Sequence, residues 1–136
     1  MEGNEIVIDG KNATMGRLAS YAAKQALLGK KIIIVNADLV TINGNKKDIH
    51  EKYRVIVKKG GSSQKGPRII RTPERIMKRT IRGMLSHKQG RGIDAYRRIM
   101  CYNQIPKEFE EVKKIKAGRE KHGKFITLKE LARLIK

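Results

Sequence analysis

The amino-acid sequence predicts an α/β protein built on a strand, helix, strand unit, and three adjoining segments support this prediction. Residues 5–9 (EIVID) are a short run rich in β-branched side chains, and residues 32–36 (IIIVN) are apolar without alternation. An unbroken apolar run is typical of a strand that is covered on both faces in a parallel sheet. Between the two runs, apolar residues recur at helical spacing from Met15 to Ala26. This order of elements is that of a βαβ unit.

The predicted first helix has recognisable ends. Thr14 precedes it and belongs to the residue types that cap helix N-termini. Gly29 follows it and can adopt the left-handed conformation in which many helices end. Lys30 and Lys31 suit the negative end of the helix dipole. We therefore expect the helix to begin after Thr14 and to end before Gly29.

Shorter elements are expected after the second strand. The sequence predicts a further short strand over residues 39–42, a turn at residues 43–44 (Asn-Gly) and a short helix over residues 46–53. Residues 54–59 then place valines among basic residues, and residues 60–66 (GGSSQKG) predict a flexible basic loop.

A cationic amphipathic helix is predicted from Thr72 onward. A threonine cap, a proline at the first helical position and an early acid in Glu74 form a strong helix start. The predicted apolar stripe consists of Ile76, Met77, Thr80, Ile81 and Met84. The cations on the remaining surface are Arg75, Lys78, Arg79 and Arg82.

The last third of the chain alternates loops and short helices. Residues 86–92 (SHKQGRG) predict a second glycine-rich basic loop, and residues 93–100 predict a helix that follows it. Residues 107–124 form a charged arm, which we expect to be a weak helix or an extended segment lying on a partner. Thr127 and Glu130 form a capping box before a short closing helix.

The composition points to a polyanionic partner. The chain of 136 residues has the length of one domain and carries 32 Lys+Arg against 13 Asp+Glu, a net charge of +19. The surplus is concentrated, because residues 1–50 hold 7 basic and 5 acidic residues (+2), whereas residues 54–98 hold 14 and 2 (+12). Such a surplus attracts nucleic acid first and an acidic membrane surface second. We expect a single domain over residues 1–136 with its contact region at residues 54–98.

Several other classes of protein are not expected. The single cysteine, Cys101, cannot form an internal disulfide, and three histidines without a second thiol do not supply a closed zinc site. The chain shows no apolar run of about 18 residues and no signal peptide, so we expect a cytoplasmic protein without membrane association. The scarcity of aromatic residues, with no Trp, two Phe and four Tyr, argues against an aromatic platform that stacks bases. No cofactor, metal or small-molecule substrate is expected.

Candidate catalytic residues do not form a recognisable set. Residues 9–11 (DGK) resemble a ligand-binding turn at the end of a strand, but neither phosphate-binding glycine motif occurs, so we interpret them as a turn. Asp38 and Asp48 are interpreted as turn and cap residues, and Cys101 as a core residue. His87 lies among basic residues and is interpreted as a hydrogen-bond donor to phosphate or base.

The basic residues are the main candidates for binding. Arg75, Arg79 and Arg82 follow one another at helical spacing and are expected on one face. Arginines favour bidentate phosphate contacts, and glycine-rich loops allow backbone amides to approach a sugar–phosphate chain. The candidate RNA-contacting residues are Lys11, Arg17, Lys58, Lys59, Lys65, Arg68, Arg71, Arg75, Arg79, Arg82, His87, Lys88, Arg91, Arg97 and Arg98.

Three blocks of sequence carry a family resemblance. They are residues 9–19 (DGKNATMGRLA), residues 35–38 (VNAD) with residues 42–47 (INGNKK), and residues 82–92 (RGMLSHKQGRG). In this order they resemble the universal large-subunit ribosomal protein thirteen family. Residues 102–109 (YNQIPKEF) are similar to its archaeal and eukaryotic branch, and the length favours an archaeal member.

The resemblance implies both a fold and a role. It implies a three-layer α/β/α fold around a mainly parallel sheet of about four strands. It also implies a structural protein that binds 23S-type rRNA early in the assembly of the large subunit, beside neighbouring ribosomal proteins. The family's RNA-facing glycine-rich block falls on residues 83–92, and its early helix start falls on Gly16 and Arg17. Composition leaves two alternatives open: an RNA-binding regulator of translation that acts off the ribosome, and an RNA-modifying enzyme.

Overall fold

The computed structural model describes residues 5–58, 72–86, 88–117 and 123–135. The strands in these ranges are β1 (Glu5–Asp9), β2 (Lys31–Val35), β3 (Thr41–Asn43), β4 (Ile99–Cys101) and β5 (Phe125–Thr127). The helices are α1 (Met15–Leu27), α2 (Lys46–Lys58), α3 (Pro73–Gly83), α4 (Gly90–Arg97) and α5 (Leu128–Leu134).

A three-stranded parallel sheet in the order β1-β2-β4 forms the centre of the protein. β2 lies in the middle, and its residues from Ile32 to Val35 are buried, as its unbroken apolar run predicts. With α1 as the crossover helix, β1 and β2 form the predicted βαβ unit. β3 and β5 pair in a separate antiparallel ribbon.

The ends of α1 confirm its predicted bounds. Thr14 occupies the N-cap position, although its side chain makes no capping hydrogen bond. At the other end Gly29 has φ +95°, and its amide bonds to the Ala26 carbonyl while the Lys30 amide bonds to the Gln25 carbonyl. These two bonds form a Schellman motif, which satisfies carbonyls that the helix leaves unpaired.

Three element boundaries differ from the predictions. Leu39 ends a 3-10 turn (Ala37–Leu39) instead of starting a strand, so β3 begins two residues later than expected. α2 does not end at residue 53 but continues to Lys58. The predicted helix over residues 93–100 is also wrong at both ends, because α4 begins at Gly90 and the chain then enters β4.

The α4 boundary has a steric cause. A side chain at Gly92 would clash with the carbonyl of Ser86, because the loop before α4 folds back against its first turn. Only a glycine permits this close approach. The first turn of α4 therefore contains residues that the sequence assigns to a loop.

The two faces of the sheet are covered differently. Buried residues of all five helices pack in one cluster with Ile8, Ile32 and Ile99 of the sheet. On the other face, Val7, Ile33 and Val35 are covered by Tyr102, Ile105 and Phe109. The layer over this second face is thus an irregular segment with a short 3-10 helix, Lys107–Phe109. This arrangement confirms the predicted α/β class with a mainly parallel sheet.

The charged arm packs on the protein itself. Beyond the 3-10 helix, Ile115 forms a parallel bridge with Ile8 at the free edge of β1, through bonds to Val7 and Asp9. Residues 107–117 are therefore neither a regular α-helix nor an extended arm, and residues 118–122 lie outside the described ranges. Thr127 caps α5 as predicted, since its side chain accepts a hydrogen bond from the Glu130 amide. The other half of the predicted capping box is not seen, because the Glu130 carboxylate pairs with Lys46.

Candidate nucleic-acid interface

The predicted cationic face of α3 is present. Ile76, Met77 and Ile81 are buried, and Arg75 and Arg82 are exposed. Together with Arg79, these two arginines fall within an arc of roughly 60° around the helix axis, with Arg75 in the middle, as 3.6 residues per turn requires. Met84 does not continue the apolar stripe, because it follows the last helical residue and is 45% exposed.

The start of α3 is capped by a residue that sequence analysis did not identify. Thr72 is the N-cap residue, as predicted, but its side chain makes no capping hydrogen bond. Instead the Glu74 amide donates to Oδ1 of Asn103 at 3.0 Å. Asn103 follows β4, so the carboxyl end of the sheet fixes the position of this cationic helix. The residues around Thr72 could not predict this cap, because Asn103 belongs to a loop that is distant in the sequence.

Two cations of α3 lie near aromatic side chains. Nζ of Lys78 lies 4.8 Å from the ring centre of Tyr96 on α4, a cation–π contact. Arg79 lies near the Tyr53 hydroxyl on α2. Burial raises the pKa of Tyr53, and Arg79 acts in the opposite direction. Arg75 and Arg82 are therefore the cations of α3 with the greatest freedom to contact a partner.

Arg97 and Arg98 have different environments. Arg97 is exposed, as predicted. Arg98 is partly buried, and its Nη1 donates a hydrogen bond of 2.8 Å to the carbonyl of Ala26 in the last turn of α1. The expectation that Arg98 points outward is thus wrong, because its guanidinium group satisfies a helix C-terminus.

The candidates at the carboxyl end of β1 surround a structural turn. Oδ1 of Asp9 accepts hydrogen bonds from the Lys11 amide and from Nδ2 of Asn36, each at 3.0 Å. Nζ of Lys116 lies 3.3 Å from the other carboxylate oxygen. These contacts support the interpretation of residues 9–11 as a turn. The side chain of Lys11 is exposed here, and so is that of Arg17 in the first turn of α1.

The remaining candidates divide into described and undescribed residues. Lys88 and Arg91 are exposed around the start of α4, and Lys58 is the last residue of α2. The candidates outside the described ranges are Lys59, Lys65, Arg68, Arg71 and His87. Those that are described do not form one patch, because Lys11 and Arg17 lie at the carboxyl end of the sheet and Arg98 lies at its amino end.

The exposed arginines lack acidic partners within the described part of the chain. The ion pairs there join Lys31 to Glu5, Lys46 to Glu130, Arg54 to Glu51 and Lys116 to Asp9. Arg75, Arg82, Arg91 and Arg97 take part in none of these. Their charges are consequently available to an external anion.

The described residues give little support to a metal site, a reactive cysteine or a membrane-spanning helix. No three histidine, cysteine, aspartate or glutamate side chains of residues 5–58, 72–86, 88–117 and 123–135 are placed to hold a metal ion. Burial raises the pKa of the Cys101 thiol to about 12, which agrees with its interpretation as a core residue. None of the helices in the described ranges has the length and apolar character needed to cross a membrane.

Comparison with known proteins identifies the family. A family model described as ribosomal protein L13 matches residues 3–108. A protein of Archaeoglobus fulgidus named large ribosomal subunit protein uL13 is 42% identical over 135 residues, which cover 95% of this chain and 86% of that protein. A protein of the same name in Picrophilus torridus is 40% identical over 133 residues, which cover 96% of each chain. The protein of this name in Methanococcoides burtonii is 40% identical over 132 residues, which cover 93% of this chain and 94% of that protein.

The chain belongs to the ribosomal protein L13 family. This family consists of structural ribosomal proteins and not of enzymes, so the alternative of an RNA-modifying enzyme is wrong. The similarity to archaeal relatives confirms the predicted branch. As a ribosomal protein of archaeal type, this L13 family member is cytoplasmic as part of the ribosome.

Proposed function

We propose that this L13 family protein is a structural component of the large ribosomal subunit that binds and organises its rRNA. The observation that carries the proposal is the set of exposed arginines on α3 and α4 that have no acidic partner among the described residues. Relatives named large ribosomal subunit protein uL13 support the assignment to that subunit.

The whole chain acts as one rRNA-binding domain in this proposal, with residues 54–98 as its main contact region. Phosphate groups supply the negative charge that the surplus of +19 requires. Because exposed candidate cations lie at the carboxyl end of the sheet and on α3 and α4, the protein contacts more than one rRNA segment and thereby holds these segments together. The neighbouring large-subunit proteins are its other partners.

An early role in assembly makes a specific demand on binding. The protein must bind large-subunit rRNA before other ribosomal proteins are present. Protein-free rRNA fragments are therefore the proper test substrate. If about eight cations contact phosphates, log Kobs falls by about 6 to 7 for each decade of salt concentration.

The test measures affinity for protein-free large-subunit rRNA between low and moderate salt, with small-subunit rRNA of equal length as a control. Tighter binding to the large-subunit fragment with a steep salt slope supports the proposal. A slope near zero would remove phosphate neutralisation as the mechanism. Equal affinity for both RNAs would remove the assignment to large-subunit rRNA.

A further inference from the structure

The exposed face of α5 carries two cations that lie outside the predicted contact region of residues 54–98. Lys129 and Arg133 are both exposed and are four residues apart on the helix, so their side chains share one face. Both line a cavity of about 350 Å³, whose other walls are the 3-10 turn after β2, the loop after β4 and the start of α3. The exposed arginines of α3 and α4 do not line this cavity, so it belongs to a different surface.

The two cations do not help α5 to fold. Like charges four residues apart on a helix repel each other, and Lys129 lies in the first turn, where the helix dipole disfavours a cation. The acid of α5, Glu130, pairs with Lys46, and no ion pair in the described part of the chain includes Lys129 or Arg133. An anion from outside would offset this repulsion, so the pair indicates an anionic ligand.

The rim of the cavity is cationic. Among its lining residues, only Gln104, Lys129 and Arg133 are exposed. Asp38 also lines the cavity, but its Oδ1 is buried, and none of the ion pairs between described residues joins it to Lys129 or Arg133. A ligand at the rim therefore meets two cations and one amide.

The cavity continues into a second, more open depression. This depression has a volume of about 310 Å³ and shares Asn103 and Gln104 with the first. Its remaining lining is largely apolar and consists of Tyr102, Ile105 and Pro106. Oδ1 of Asn103 already accepts a hydrogen bond from the Glu74 amide, which makes Gln104 the exposed amide at the junction. The two depressions form an elongated groove, the α5 groove, which suits a strand better than a single small anion.

We propose that the α5 groove binds the sugar–phosphate backbone of one RNA strand. Phosphates lie at Lys129 and Arg133, and the Gln104 amide bonds to a ribose 2′-hydroxyl, which both donates and accepts hydrogen bonds. The next sugar packs on the apolar end of the groove. The choice of RNA over an acidic protein segment rests on the proposed function, and the groove adds an rRNA contact outside residues 54–98.

Lysine acetylation of the full chain locates the contact. The reagent is applied with and without a protein-free fragment of large-subunit rRNA, and mass spectrometry measures the reaction of each lysine. Lys129 should react several-fold more slowly in the complex, whereas Lys24, which lines neither depression, should react at the same rate. Unchanged reactivity of Lys129 would overturn the proposal. Protection in assembled large subunits but not by rRNA alone would also overturn it, because the groove would then hold a neighbouring protein.

A double variant tests the two cations. Lys129→Gln with Arg133→Gln should weaken rRNA binding roughly ten-fold and lower the salt slope by about 1.4 to 1.8, because two phosphate contacts are lost. The urea midpoint of unfolding should not fall, because the variant removes a repulsion within α5. The matched control, Lys24→Gln with Lys113→Gln, removes the same charge from exposed residues outside the groove and should have little effect on the slope.

Two outcomes of this comparison would contradict the proposal. Equal losses of affinity in the α5 variant and the control would mean that total charge determines binding. A lower urea midpoint in the α5 variant would mean that the two cations support the fold.

A single variant tests the sugar contact. Gln104→Leu removes the amide and should weaken binding of the rRNA fragment about three-fold, as expected for one neutral hydrogen bond. Binding of DNA of the same sequence should not change, because DNA lacks the 2′-hydroxyl. Equal losses with RNA and DNA would overturn the assignment of the groove to RNA.

The same samples distinguish this inference from the proposed function. If the α5 variant binds rRNA like the wild-type chain while Arg75→Glu with Arg82→Glu weakens binding, only the α5 groove is wrong. Absence of rRNA binding in the wild-type chain would overturn the proposed function and, with it, the RNA strand in the groove.

Discussion

The βαβ unit and α3 use their charged residues in different ways. In the βαβ unit, Asp9 is held by Asn36 and Lys116. On α3, Arg75 and Arg82 are exposed and have no acidic partner among the described residues. The charges around Asp9 stabilise a turn at the end of a strand. Those of Arg75 and Arg82 are available to bind an external anion.

This difference shows why the net charge of a region is a poor guide to the role of each cation. Arg98 belongs to the basic middle of the sequence, yet it caps α1 and so behaves like the charges of the βαβ unit. Whether a cation serves the fold or a ligand depends on the polar groups within reach. A substitution can therefore assign each arginine to one class by separating RNA affinity from stability.

The largest expected effect comes from reversing two exposed charges of α3. Arg75→Glu with Arg82→Glu should weaken rRNA binding by about thirty-fold or more. The salt slope should fall by about 1.4 to 1.8, because two phosphate contacts are lost. The free energy of unfolding should change by less than about 0.5 kcal/mol, as expected for exposed positions. Filter binding at several salt concentrations and urea denaturation provide the two measurements.

A matched control keeps the change in net charge the same. Lys24→Glu with Lys47→Glu alters exposed residues of α1 and α2 outside the contact region. This control should weaken rRNA binding much less than the α3 variant does. Equal losses in both variants would mean that total charge, and not the face of α3, determines affinity.

An intermediate effect is expected at Arg98. Arg98→Met should reduce the free energy of unfolding by about 1–2 kcal/mol, because the Ala26 carbonyl loses a charged hydrogen-bond donor. Its exposed neighbour provides the control, since Arg97→Met should change stability by less than about 0.5 kcal/mol. Thermal and urea unfolding of both variants measure the difference. If the two variants were equally stable, Arg98 would belong with the exposed arginines.

Elements with strong local signals could be predicted from the sequence. The βαβ unit follows from two apolar runs and one helical period, and the starts of α3 and α5 follow from Thr72 and Thr127. The cationic face of α3 could also be predicted, because helical spacing alone brings its arginines together. In each case the determining residues lie within one or two turns of one another.

Features that depend on distant contacts could not be predicted. The three residues of β4 are too few to show a strand period, and their conformation is set by pairing with β2. The position of Ile115 is likewise set by a distant contact, its bridge with Ile8. The cap of α3 is a third case, because Asn103 bonds to Glu74, which lies 29 residues earlier in the chain. A cavity of about 350 Å³ beside Asn103 could not be predicted either, because four separate segments form its wall.

The smallest expected effect is a pH dependence at Asp9. Partial burial acts to raise the pKa of Asp9, but the hydrogen bonds from Asn36 and the Lys11 amide, with the Lys116 ammonium, outweigh burial and hold the pKa below 3.8. A lowered folded-state pKa adds stability that is fully present above the unfolded-state pKa near 3.8 and is lost as the pH falls through the lower folded-state value.

Asp9→Asn should therefore reduce the free energy of unfolding at pH 6 by less than about 1 kcal/mol, because solvent screens the mostly exposed Lys116. The difference from the wild-type chain should shrink as the pH falls below about 4. Urea unfolding across this pH range measures it, with Glu111→Gln at an exposed site as the control. A difference that stays constant down to pH 2 would mean that Asp9 acts through the shape of the turn and not through its charge. The βαβ unit and α3 would then not differ in how they use charge, because the role of Asp9 would be one of packing.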